Sequence, residues 1–310
     1  MRLLALLITL SFATLGYAQL VTDSTVAMIA FWEVGDSTTY RFTRTDSTQI
    51  NGVTTVKRSS YTVGITVLDS TETEYLLAWQ YGDFEWATTP DRMERVIADV
   101  VSATPLRIRT NEFGMLQALE NWEAIGYTIR TAIEAEIQSA DLPESEAEAL
   151  RMQSQLATLD ESQLLESLED VLFFYAFYSD YYYPKDSPQE YVTELSYPLL
   201  PIALEADAVT RVVDIDTAAA AVHLRERAFL TYEEGKAAIV AFLRDLDDNL
   251  ADMPDEELLK EVPPVQILQE NNCIYNLDSG YVLAGSYVKQ VRMELGIMGD
   301  LRIGYRIVVP

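Results

Sequence analysis

Hydrophobic and polar positions alternate with a period of two over much of residues 35–110, which predicts antiparallel strands with one wet side. Tyr40 and Phe42 alternate with polar neighbours, and Asn51-Gly52 marks a tight turn between strands. Tyr61, Val63, Ile65 and Val67 fall on one face of the next strand, and Tyr75, Leu77, Trp79 and Tyr81 on one face of the strand after it. Leu106 and Ile108 begin a shorter strand that ends at Asn111-Glu-Phe-Gly114.

The period then changes. Trp122, Gly126, Ile129, Ile133 and Ile137 recur at spacings of four and three, the stripe of an amphipathic helix. Asp141-Leu-Pro143 breaks it, and residues 144–180 read as a second helical region with Leu164, Leu168, Val171 and Tyr175 on its stripe. Two prolines mark a loop over Tyr181–Pro188. Alternation returns at Val212, Val213 and Ile215 and again at Val222 and Leu224. A helical pattern over 233–252 follows, then a β-meander from Val265 whose last strand carries Leu301, Ile303, Tyr305, Ile307 and Val309.

Strands grouped apart from helices define α+β, with antiparallel sheet packed on helices. Two β-rich lobes separated by a helical segment fit the pattern, and so does one curved sheet wrapped around the helices. The division expected is a leader at 1–18, a β-rich part followed by helices at 19–183, and a second β-rich part with one helix at 184–310.

The leader changes the picture of compartment. Arg2 is a short positive region, Leu3–Leu15 is apolar, and Gly16 and Ala18 place small residues before Gln19. That is the form of a secretory signal peptide, so the mature chain is expected outside the cytoplasm, in the periplasm or the medium. Position 19 is not the cysteine of a lipoprotein, and no later uncharged run is long enough to span a bilayer.

The formal charge of −27 disfavours nucleic acid as a partner, because such a surface repels phosphate backbones and anionic lipid headgroups. The single cysteine, Cys273, excludes an internal disulfide and reads as a buried, inert thiol.

Gly35-Asp36-Ser37 after Ile29-Ala-Phe-Trp32 imitates the nucleophile triplet of certain serine hydrolases. That chemistry needs a histidine base with an aspartate three residues before it; the one histidine is His223, and position 220 is alanine. Gly35-Asp36 reads better as a turn. A lone histidine and a distant cysteine are also a poor metal set, so no metal and no cofactor is expected. Asp245, Asp247, Asp248, Asp252 and Asp255-Glu-Glu257 could offer oxygens to calcium, but without a calcium-loop spacing they read as a solvated helix end.

The densest aromatic run is Phe173–Tyr183. It fits a core or a lobe interface, and Phe174, Tyr178, Tyr181 and Tyr182 are its candidates for contact with an apolar ligand.

Gly35-Asp-Ser-Thr-Thr-Tyr-Arg-Phe42, Thr110-Asn-Glu-Phe-Gly114, Leu119-Glu-Asn-Trp-Glu123 and Leu277-Asp-Ser-Gly-Tyr281, behind the signal peptide, resemble uncharacterised secreted proteins of Bacteroidota-type Gram-negative bacteria. The resemblance implies a periplasmic or surface protein and transfers no catalytic residue. The function expected is a non-enzymatic envelope protein that binds an apolar ligand or a protein partner. The alternatives are a carboxylate-based hydrolase, for example on glycans, and a structural module of a surface assembly.

Overall fold

The computed structural model describes residues 21–309 except 141, 177, 179–181, 197–202, 247–253, 255–264 and 295–297. The proposed signal peptide, Tyr181, and most of the acidic segment after Asp245 lie outside the described residues.

The alternating segments form strands β2 (Ser37–Ile50), β3 (Val53–Ser70), β4 (Glu74–Tyr81), β5 (Glu85–Trp86), β6 (Leu106–Asn111) and β7 (Leu116–Leu119). After the helices come β9 (Gln189–Ser196), β10 (Ala203–Asp216), β11 (Ala221–Leu230), β12 (Val265–Asn276), β13 (Val282–Glu294) and β14 (Met298–Val308). All twelve belong to one antiparallel sheet, in the order β7-β6-β4-β3-β2-β14-β13-β12-β11-β10-β9, with β5 added on β3. The last strand, β14, is inserted between β13 and β2, so the two β-rich parts of the sequence share a single sheet. β1 (Thr25–Ala27) pairs with β8 (Tyr182–Pro184) in a separate small ribbon. Part of the proline-flanked segment expected to be a loop is therefore extended and paired. Asn51 and Gly52 both hold positive φ, as the two-residue turn between β2 and β3 requires.

The helices are α1 (Arg92–Ala103), α2 (Trp122–Ala140), α3 (Glu144–Ala157), α4 (Glu161–Ser167), α5 (Glu169–Ala176) and α6 (Tyr232–Leu246). α1 corrects the β reading of 35–110. It is started by a capping box, in which the Asp91 carboxylate accepts from the Glu94 amide and Glu94 accepts from the Asp91 amide. Val96, Ala98, Val100 and Val101 are its buried residues.

One face of the sheet is covered by helices. Phe174 of α5 packs edge-on against Tyr40 and Trp79, Phe173 contacts Tyr287 and Tyr305, and Tyr178 meets Tyr275. A second apolar cluster lies under α6, where Ile239 and Val240 join Ala228, Leu230, Val265, Ile267 and Val291. The chain between β1 and β2 closes one end of this inner layer. The hydroxyl of Tyr275 donates to the Ile29 carbonyl at 2.7 Å, and the Trp32 ring stacks on Tyr281. Gly280 sits at φ +72°, where a Cβ would lie 2.6 Å from the Ile29 carbonyl oxygen, so only glycine lets these two segments touch.

The inner face is not apolar throughout. One row of directly opposed residues crosses eight strands as Ser59, Arg44, Tyr305, Tyr287, Asn271, Glu226, Thr210 and Gln189. Every member is polar, and Ser59, Tyr305, Asn271 and Thr210 are buried. Along much of its length this row separates the aromatic cluster from the cluster under α6.

The outer face differs in chemistry. Across the middle rows of β11, β12, β13, β14, β2 and β3 it presents Arg225, Arg227, Arg292, Arg302, Arg306, Arg41 and Arg58 among Thr, Ser and Gln. Glu270 pairs with Arg225, Asp300 with Arg292 and Glu85 of β5 with Arg41, and β9 and β10 add Glu190, Glu194, Glu205 and Asp207 to the same face.

Candidate functional site

At the β2–β3 end of the polar row, helices α1, α3 and α4 stand off from the sheet and leave a cavity of about 630 Å³. This volume falls within the range of small-molecule sites, roughly 300–1,000 Å³. Apolar wall comes from Met93, Ile97 and Val101 of α1 and from Leu156 and Ala157 of α3. Aromatic wall comes from Tyr61, Tyr81, Phe84 and Trp86, whose rings form a connected series: Tyr61–Phe84 at 4.4 Å and Phe84–Trp86 at 5.5 Å between centroids.

The floor is polar. Asp170, in the first turn of α5, is buried, and each of its carboxylate oxygens accepts one tyrosine hydroxyl: Tyr61 at 2.8 Å and Tyr81 at 3.0 Å. Burial raises its pKa; the two tyrosine hydrogen bonds and the Arg44 charge oppose that shift without cancelling it. Burial and the Asp170 charge together push both tyrosines well above their usual range, so they act as donors at any physiological pH.

Beside this triad, Arg44 holds both Asp46 oxygens at 3.0 and 2.8 Å, approaches Glu169 at 3.7 Å, and lies 5.4 Å from the Tyr305 ring centre. Tyr305 donates to Glu169 at 3.1 Å. Burial works against the Arg44 charge, and Tyr305, Asp46 and Glu169 more than offset it. At the rim, Lys57 bridges Asp91 and Glu94, which ties β3 to the start of α1. The cavity is thus amphiphilic: apolar along the helices, ionic and fully hydrogen-bonded at the sheet.

Sequence-singled residues fall elsewhere. Phe174 and Tyr178 are buried in the aromatic cluster behind α5, Tyr182 is exposed on β8, and none of them lines the cavity. Gly35-Asp36 is a turn, with Gly35 at positive φ and Asp36 accepting from the Glu33 amide. Ile29–Trp32 before it forms no strand. His223 stands on β11 opposite Asp214 and Ile274. Cys273 is buried, and burial pushes its thiol far up. Among the described residues no group of three or more His, Cys, Asp or Glu side chains could hold a metal ion. No helix among them is long and apolar enough to cross a membrane.

The cavity residues left a weak trace in the sequence. Arg44 and Asp46 interrupt the alternation begun by Tyr40 and Phe42, which marks where the inner face stops being apolar. Asp170 follows Glu169 among Leu168, Val171 and Leu172 and lies off the stripe of Leu164, Leu168, Val171 and Tyr175, so the helical pattern does not single it out.

No protein-family model and no curated protein matches the sequence. Among solved structures, one described as "Lipid-protein interactions in lipovitellin" aligns with a TM-score of 0.42 and 8% identity, over 90% of this chain and 25% of that one. The chain spans a quarter of that protein, and the likeness is too distant for a ligand or a residue role to pass between them.

Proposed function

We propose that this chain is an exported, non-catalytic binding protein whose cavity under α1 and α3 takes a small molecule with an apolar body and a polar end. The observation that carries the reading is the amphiphilic lining. The apolar body fits against Ile97, Val101 and Leu156, and the polar end is directed to the Arg44–Glu169–Asp170 floor. Burying the body supplies about 25 cal/mol per Å² of apolar surface. The leader at Met1–Ala18 supports export, and a mature amino terminus at Gln19 by mass spectrometry is the expected check.

For the binding itself, the probe is an environment-sensitive apolar dye, titrated while Trp86 fluorescence is followed. Saturable binding is expected, with at least a tenfold loss in Ala157→Phe, which fills the cavity, at a nearly unchanged urea midpoint. Equal binding by the wild type and Ala157→Phe would overturn the assignment of the site.

The hydrolase reading has one supporting observation, several carboxylates in one aromatic cavity. Acid catalysis needs a carboxyl free to give its proton to a substrate. Both Asp170 oxygens accept from tyrosines and Glu169 accepts from Tyr305, which favours binding. Turnover of an aryl glycoside that vanishes in Asp170→Asn would reverse that preference.

A further inference from the structure

We propose that the ligand of the cavity is an amphiphilic cation, an ammonium head on an apolar body. The inference rests on the binding reading above and adds the sign of the polar end. It is carried first by the charges of the lining. Six carboxylates line the space, those of Asp46, Asp91, Glu94, Glu166, Glu169 and Asp170. The cations among the lining residues are Arg44, Lys57 and Arg58, and Arg58 carries its side chain on the outer face of the sheet. Lys289, buried on β13, adds its charge near Glu166 and Glu169. Carboxylates outnumber cations even when all four cations are counted.

The pairing of those charges sharpens the sign. Arg44 is shared between Asp46 and Glu169, and Lys57 between Asp91 and Glu94. Asp170 is held by two neutral tyrosine hydroxyls, and Glu166 accepts from the neutral Gln163 amide at 3.3 Å. The hydroxyls of Tyr61, Tyr81 and Tyr305 all donate to carboxylates. An anionic head would therefore meet donors that are already engaged, with carboxylates around them.

The aromatic wall is the independent second observation. Tyr61, Phe84 and Trp86 form a connected series of rings beside this floor, and ring faces attract cations. A quaternary ammonium head needs no hydrogen-bond acceptor. It draws on the field of the carboxylates and on the ring faces, which suits a floor whose oxygens already accept from tyrosines. Between helices and sheet that field is screened less than on the open surface. A neutral head gains neither attraction, and an anion is repelled by both.

The test compares probes that share one decyl chain and differ in the head: decyltrimethylammonium, decanol and decyl sulfate. Each is used to displace the apolar dye from the full chain, below its micelle-forming concentration, at about 0.15 M salt. Equal chains cancel, so the ratio of affinities reads the head alone. The cation is expected to bind about tenfold more tightly than the alcohol, and the sulfate more weakly than the alcohol. Glu166 is exposed, so Glu166→Gln removes one carboxylate at wild-type circular dichroism, and the cation-to-alcohol ratio should fall about threefold. Failure of the wild type to take up the dye would overturn the binding reading, and this one with it. Dye uptake with the alcohol or the sulfate matching the cation would overturn only the sign assigned here. An unchanged ratio in Glu166→Gln would do the same. Equal cation binding by the wild type and Ala157→Phe would place the cation on the acidic exterior, and that also would overturn the proposal.

Discussion

Asp170 concentrates the chemistry of the cavity in one side chain. Its pKa is raised in the folded state, so its neutral form is favoured by folding. The sign of the pH dependence follows. Below its ordinary value near 3.8 the group is protonated in both states, and its contribution is fully present. As pH rises from there through the folded value, the unfolded state loses the proton first, and that contribution is lost. Wild type and Asp170→Asn share every other titrating group, so their difference isolates this one. The wild-type urea midpoint, relative to the variant, is expected to fall as pH is raised above 3.8. A wild-type advantage that grows with pH would show that the tyrosine hydrogen bonds and Arg44 outweigh burial. The residue was hard to read in advance for a physical reason. Beside Glu169 and off the apolar stripe, Asp170 reads as one more solvated carboxylate until its partners Tyr61 and Tyr81, more than 85 positions away, are known to meet it.

At the scale of elements, periodicity located strands well because the sheet buries one face. Tyr61, Val63, Ile65 and Val67 are all buried, and so are Leu77, Trp79 and Tyr81. The amphipathic stripe of α2 is equally plain, with Ile125, Gly126, Ile129, Ile133 and Ile137 buried. α1 was hidden within a β-rich stretch, although its capping box, Asp91-Arg-Met-Glu94, is written in the sequence. This helix walls the cavity, so its start is a handle on the site. Asp91→Ala removes the acceptor for the Glu94 amide and one of the two carboxylates held by Lys57. A loss of about 1 kcal/mol is expected by urea denaturation, the usual cost of an N-cap aspartate. The dye should bind more weakly as α1 frays. A variant with an unchanged midpoint would mean that packing of Val96, Val100 and Val101 alone fixes the helix start.

For the whole molecule, antiparallel α+β was legible, because grouped strands and helices leave few alternatives. The strand order was not, because register between distant strands leaves no local pattern. The position of β14 has the largest consequence. It lies between β13 and β2, pairs with both, and contributes Tyr305 and Ile307 to the aromatic cluster. A chain cut after residue 296 loses two ladders at once and exposes two new edges in the middle of the sheet, where unpaired backbone invites aggregation. Neither half should then keep a fixed inner layer, since Phe173 of α5 rests on Tyr305 from the missing strand. The truncated chain is expected to lose its near-UV circular dichroism and its cooperative unfolding. A synthetic peptide of residues 297–310 added in trans should restore both, because the strand needs only its two neighbours to pair. A truncated chain with the wild-type urea midpoint would show that the two β-rich parts fold independently, joined by β14 without depending on it.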